Sequence, residues 1–300
     1  MIPFVAPPIF EYGRADTVSP LIRRVIANNP GPFTYTGTGT YIVGRGERGA
    51  GVAVIDPGPP DEAHLAALLA AVAGQTVSHV LVTHTHRDHA PLARPFAEAV
   101  GAPILAAAAP PRTTQAAATP DEDEDETFSP DIVLTGGERL NGDGWTIEAM
   151  ATPGHASNHM AFVLEQENAL FSGDHVMGWS TTVVAPPDGD MAAYMASLDA
   201  VIARGFATLW PTHGAPITTP GPFLDAYRLH RLAREAQVLE RLAAGDRTIA
   251  QMVPVLYAQV DRRLWPAASL SVWAHLIALA RRGRVLAEPE ATPQAVYRPL

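Results

Sequence analysis

The sequence predicts an α/β protein in two parts, a sheet-rich first two hundred residues and a small, mostly α-helical tail. Three observations support that division. Short β-branched runs alternate with alanine-rich stretches over the first two hundred residues. Several of these runs close on a glycine, as a strand does when it enters a tight turn. After Pro222 the alternation stops and helical spacing takes over. With 47% hydrophobic and 17% charged residues over 300 positions, the chain has the material for a sizeable core.

Taken in order, "TYIVG" and "GVAVIDPG" read as strands ending in glycine turns. Residues 61–73, "DEAHLAALLAAVA", carry acids in the first turn and apolar positions at helical spacing. "VSHVLVTH" is a strand that runs directly into a histidine cluster. Residues 90–100 follow as a helix and "PILAAA" as a strand. The stretch 106–130 holds several prolines and the acidic run 121–126, too biased to pack, and reads as a surface excursion. Strands resume at "DIVL", "WTIEAM", "MAFVLE" and "NALFSG". Residues 190–204 form an amphipathic helix, and "ATLWPTHG" a strand and turn. A long helix from Pro222 to about Ala244 leads to two further helices and a glycine-turned strand pair, "RRGRVLAE". That order suggests a winged-helix-like module. The expected division is residues 1–221 for the first domain and 222–300 for the long helix and tail module.

Composition excludes several chemistries. There is no cysteine, so disulfides, thiolate catalysis and cysteine-held metals are out. Every one of the 21 basic positions is arginine, which removes a Schiff-base or phosphate-cradling lysine. The net charge of −10 owes six acids to the run at 121–126; without them, 25 acids face 21 arginines. Such a balance exerts no global pull on nucleic acid or an anionic membrane. The N-terminal "MIPFVAPPIFEYG" lacks a basic region and is broken by prolines, and no apolar stretch is long enough to span a bilayer. The expectation is a cytoplasmic protein with no membrane partner; the sequence leaves assembly into a homo-oligomer open.

Chemistry concentrates in "HTHRDH". His84 and His86 are two apart at a strand end, so both imidazoles can face one ion. Asp88 and His89 follow where the chain turns and can serve a second ion nearby. His155 in "TPGHASNH", Asp174 in "FSGDH" and His213 in "WPTHG" each lie just after an apolar run, with glycine beside them. Together these side chains offer nitrogen and oxygen donors enough for two divalent metals. Ser157, Asn158, His159 and His175 sit close enough in sequence to touch substrate or support the ligands. His64, His79, His230 and His275 read as surface or internally satisfied histidines. Arg262, Arg263, Arg281, Arg282 and Arg284 make the tail basic and could contact phosphates, a partner subunit or only solvent.

The ordered motifs "HTHRDH…GH…SGD…THG" resemble the metallo-β-lactamase superfamily. The resemblance implies an αββα sandwich followed by a winged-helix domain, with a dinuclear centre at one sheet edge. By position it implies that His84, His86 and His155 hold one metal, that Asp88, His89 and His213 hold the other, and that Asp174 bridges them. It also places Asp56 of "VIDPG" as a supporting carboxylate. Cysteine-ligated zinc β-lactamases do not fit, and the cysteine-free class lacks the aspartate that Asp174 represents here. "NPGPFTYTGTGTYIVG", "GHASNHMAFVLEQENALFSGDHVMG" and the tail "LYAQVDRRLWPAASLSVWAHLIALARRGRV" resemble the β-lactamase-like protein 2 group. The implied activity is hydrolysis by a metal-activated hydroxide, with Asp88 and Asp174 as the catalytic carboxylates and zinc as the default metal. The expected substrate is a small-molecule ester, thioester, lactone or amide. The alternative is single-stranded RNA, which an animal member of that group cleaves.

Overall fold

The computed structural model describes residues 1–109, 125 and 127–300, so the acidic run 121–126 lies, Asp125 apart, outside the described residues. Seven strands form the first sheet in sequential order: β1 (Asp16–Ser19), β2 (Ile22–Ile26), β3 (Gly39–Val43), β4 (Gly51–Ile55), β5 (Thr76–Leu81), β6 (Ile104–Ala106) and β7 (Ile132–Val133). Its first four strands pair antiparallel and the pairs from β4 onward are parallel. Helices α1 (Glu62–Ala71) and α2 (Ala93–Val100) make the crossovers on either side of β5. The second sheet runs β12 (Thr208–Pro211), β11 (Ala169–Gly173), β10 (Met160–Leu164), β9 (Thr146–Ala151), β8 (Arg139–Asn141). Here β11 and β12 are parallel, linked by α3 (Met191–Arg204).

The period of two decides which face each residue serves. Tyr41, Val43, Ala53 and Ile55 point inward and meet Ile147, Ala149, Phe162, Leu164 and Phe171 of the opposite sheet. Their neighbours Ile42, Val52 and Val54 face outward against Leu68 of α1 and Phe96 of α2. Ala161, Val163 and Leu170 face outward from the second sheet onto Leu198 and Val201 of α3. The result is helices, sheet, sheet, helices, the αββα sandwich expected. Strand β1 is the short, polar DTVS, and β2 carries Arg23 and Arg24 inside an apolar pattern. Those features hid them from the sequence reading.

Helix α4 (Pro220–Ala243) then leads to α5 (Ile249–Leu256), α6 (Trp265–Arg281) and the antiparallel pair β13 (Val285–Glu288) and β14 (Val296–Pro299). Two helices and a hairpin make the winged-helix tail. A capping box starts α5, with Thr248 and Gln251 satisfying each other's backbone. Phe223, Leu224 and Tyr227 of α4 pack in the core beneath the second sheet, whereas its Val238 and Leu242 pack with Met252, Val272 and Tyr297 of the tail. Among the described residues no helix is long and apolar enough to cross a membrane.

Two histidines away from the strand-end cluster are buried and neutral. Thr40 donates its hydroxyl to the Asp56 carbonyl at 2.7 Å, so His64 donates Nε2–H to the Thr40 oxygen at 2.9 Å. Burial lowers His64 to about 4, and burial with the nearby Arg231 and Arg234 lowers His275 to about 3. Both therefore gain a proton on unfolding at any pH between those values and 6.5. The expected result is a stability that falls as pH drops below 6.5, by about 1.4 kcal/mol per pH unit for each group. Urea midpoints at pH 7 and pH 4.5 check this. The drop should shrink in His275→Leu, and an equal drop in parent and variant would reject the assignment.

Candidate metal centre

Every candidate ligand stands past the C-terminal end of a strand. His84, His86, Asp88 and His89 follow β5, His155 follows β9, Asp174 follows β11 and His213 follows β12. The strands of both sheets thus deliver their ends to one edge of the sandwich. Two glycines make the close approach possible. Gly173, at φ +52°, lies where a Cβ would come within 2.5 Å of His159 Nε2, and at Gly154 one would meet the Tyr194 backbone at 2.3 Å. Asp174 and His155 sit next to these positions.

The structure brings the seven side chains together. Donor atoms of His84, His86 and His155 lie within 4.8 Å of one another, and so do those of Asp88, His89 and His213. His84, His89 and Asp174 form a third such group, which joins the two. Asp174 Oδ1 is 3.4 Å from His213 Nε2, while its Oδ2 is 3.7 Å from His89 Nε2 and 3.9 Å from His155 Nε2. Asp88 Oδ2 is 3.1 Å from His213 Nε2. All are buried except Asp88, whose side chain is 12% exposed.

Outer contacts aim these rings. His89 Nδ1 bonds the Asp56 carboxylate at 2.8 Å, His155 Nδ1 the Val183 carbonyl at 2.7 Å, and His213 Nδ1 the Gly37 carbonyl at 3.3 Å. In each case Nε2 is left for the centre, the arrangement by which proteins fix a metal-binding imidazole. Asp56 also accepts the Thr83 amide at 2.7 Å, the Thr83 hydroxyl at 2.8 Å and the Thr212 hydroxyl at 3.2 Å. The two threonines escaped the sequence reading, because a Thr beside each metal motif carries no periodic signal.

Charge follows from the packing. Burial opposes ionisation of Asp88 and Asp174, but the neighbouring His89 and His213 outweigh it and hold both carboxyls well below the usual range. Burial likewise opposes charge on His89 and His213; the carboxylates win, raising His89 well above its ordinary value and His213 to about 10. Burial and adjacent imidazoles lower His84, and the same causes bring His86 to about 3. The edge therefore offers ionised carboxylates at Asp88 and Asp174, neutral imidazoles at His84 and His86, and protonated ones at His89 and His213. Nε2 of His89 and of His155 and Oδ1 of Asp174 are buried with no hydrogen-bond partner. Those unpaired donors fit divalent cations, which would displace the protons on His89 and His213.

The remaining predicted residues divide. Asp174 donates its amide to His159 Nε2 at 3.1 Å, so His159 carries its proton on Nδ1 and gives it to the Thr152 hydroxyl at 2.8 Å. His159 thus steadies the Asp174 backbone. Asn158 donates to Thr85 Oγ1 at 3.0 Å, bracing the histidine loop. Ser157 is exposed and its amide donates to Asp188. His175 is fully buried against Tyr194, with its ring centroid 4.9 Å away, and borders no part of the cavity described below. Trp179 stacks on Tyr35 at 4.5 Å beside the centre.

A sequence model described as the Metallo-beta-lactamase superfamily matches residues 37–213, and one described as the Beta-lactamase associated winged helix domain matches 248–292. The chain belongs to the metallo-β-lactamase superfamily and carries this winged-helix domain, as its motif order implied. It is a metal-dependent hydrolase of that superfamily, and the His/Asp cluster is its provision for divalent metal. The chain is 35% identical over 266 residues to an atrochrysone carboxyl ACP thioesterase of Aspergillus chevalieri, covering 85% of this chain and 78% of that protein. It is 30% identical over 234 residues to a beta-lactamase-like protein 2 homolog of Caenorhabditis elegans, covering 76% and 72%. The crystal structure of a beta-lactamase domain protein from Burkholderia ambifaria shares the fold, with a TM-score of 0.77 and 22% identity over 100% of this chain and 97% of that one.

Proposed function

We propose that the chain is a dinuclear zinc hydrolase that cleaves the acyl bond of a small-molecule ester or thioester. One observation carries this reading: a cavity of about 410 Å³ is bordered both by the ligand set and by apolar side chains. His86, Asp88, His155, Asp174 and His213 border it together with Phe4, Phe33, Met177 and Val183. A site this size, part apolar and part charged, suits a compact organic substrate. The relatives named as ACP thioesterases favour a thioester among the acyl bonds.

His84, His86 and His155 would hold one ion and Asp88, His89 and His213 the other, with Asp174 shared. Bound metals supply a hydroxide at neutral pH and a Lewis acid for the oxygen that gains charge. The chain's own contribution is placement. Asp88 borders the cavity, where it can orient the attacking water and accept its proton. Asp56, through His89, and the Val183 carbonyl, through His155, keep the rings in one orientation. Trp179, stacked on Tyr35, borders the same cavity. Of the tail arginines that could contact phosphates, a partner subunit or solvent, Arg281 pairs with Asp190, Arg282 with Glu235, and Arg263 with Asp261.

A panel of acyl thioesters, esters and lactones, with a 5′-labelled single-stranded RNA alongside, tests the proposal on zinc-loaded protein. Turnover is expected on the acyl substrates and lost on chelation. Cleavage of the RNA with none of the acyl compounds would replace this reading with the nuclease one.

A further inference from the structure

The cavity contains a second polar end. On α4, Arg228 pairs with Asp199 at 2.7 Å and Arg241 with Asp246 at 2.7 Å. Arg231 and Arg234, on the face between them, border the cavity and form no ion pair with any described acid. Arg231 is only 3% exposed. It donates Nη2 to the Thr182 carbonyl and lies 4.9 Å from the centroid of the Tyr194 ring, and its Nε is buried with no partner. Arg234 is half-buried, donates Nη1 to the Leu256 carbonyl at 2.8 Å and covers the Tyr257 ring at 4.1 Å; its Nε too is unpartnered.

A guanidinium cannot lose its charge to escape burial, so desolvation without a counter-ion is costly. Carbonyls and aromatic faces offset part of that cost, and an anion in the cavity would offset the rest through charge-assisted, forked hydrogen bonds. His230 and Ser271 border the same space, and the described acids on the cavity wall, Asp88 and Asp174, belong to the metal centre and form an ion pair with neither arginine. The arginine end and the metal end are also built from one loop. Thr182 gives its carbonyl to Arg231, and the next carbonyl, of Val183, holds His155. Leu264, Ala267 and Ala268 of the winged-helix domain form the apolar wall near this end.

We infer that Arg231 and Arg234 form an anion subsite, which binds a carboxylate or phosphate group that the substrate carries away from its scissile acyl bond. This rests on the hydrolase reading and narrows its substrate class to acyl compounds with an anionic end. The winged-helix domain then serves as a wall of the substrate site.

Calorimetric titration of zinc-loaded protein reads the subsite without turnover. The probes are monocarboxylates matched in length with α,ω-dicarboxylates, namely pentanoate with glutarate, octanoate with suberate and decanoate with sebacate, plus the corresponding ω-phosphonoalkanoates. At one length, a dianion should bind about tenfold tighter than its monocarboxylate. That ratio should fall to near one in Arg234→Gln, a position open enough to tolerate the change, and in Arg231→Gln where the variant folds. Preference for dicarboxylates assigns a carboxylate end, and preference for phosphonates a phosphate end. Equal affinities at every length, or an unchanged ratio in Arg234→Gln, would overturn the subsite. A dianion preference in protein that hydrolyses no acyl substrate would keep the subsite and sink the hydrolase reading; turnover without the preference would do the reverse.

Discussion

Asp174→Ala is expected to lower turnover by about three orders of magnitude or more while the protein stays folded. Its two oxygens face His213, His89 and His155, the rings of both triplets, at 3.4–3.9 Å. Among the described residues, Asp174 is the carboxylate of the group, with His84 and His89, that joins the two triplets. The backbone of residue 174 is held independently by His159 through the amide and by Thr182, whose hydroxyl donates to the Asp174 carbonyl at 2.8 Å. Asp88 and Asp56 still face His89, and Asp88 still faces His213, so losing the Asp174 carboxylate leaves neither ring without a counter-charge. Hydrolysis rates and zinc content measured on the same preparation decide the matter. Turnover within tenfold of the parent would mean that Asp174 is not the shared ligand.

Asp56 should show the opposite profile, with stability lost as well as activity. The carboxylate is 1% exposed, and its bonded neighbours Thr83, Thr212 and His89 all donate to it. Asp56→Ala leaves these donors unsatisfied in a dry site and is expected to cost about 3–5 kcal/mol. Asp56→Asn is a sharper probe, since it keeps the shape but turns an NH₂ group toward donors. It should cost about 1–3 kcal/mol and weaken zinc binding by about 10- to 100-fold through His89. A urea midpoint for Asp56→Asn equal to that of the parent would show that the network is dispensable.

Much of this centre was legible because metal ligands must be histidine or carboxylate in a chain without cysteine, because four candidates crowd into HTHRDH, and because His155, Asp174 and His213 each stand where an apolar run meets a glycine. The pairing of His84 with His86 followed from strand geometry alone. What lay beyond the sequence was anything that depends on elements distant along the chain. Asp56 and His89 are 33 positions apart, and Asp56 and Thr212 are 156 apart. The role of Asp56 came from family likeness and not from its own surroundings. Arg231 and Arg234 were passed over in favour of the tail arginines, since spacing along α4 shows that they share a face but not that an acid is missing opposite. Strand β1 was hidden by its short, polar DTVS and β2 by paired arginines, one of which, Arg24, is buried and donates to the Gly214 carbonyl at 3.1 Å.

Helix α4 carries one further consequence. Its 24 residues make a rod of about 36 Å, with one end rooted beneath the second sheet and the other in the winged-helix core. There is no slack linker between the two parts for evolution to lengthen, or for an engineer to cut. A graft that exchanged the tail for that of a relative would have to match the pitch of this helix as well as its sequence, because a rotation of one residue would carry the arginines away from the cavity. The tail and the cavity are therefore joined through one helix, and selectivity for substrate should change by substitution within this frame more readily than by swapping its parts.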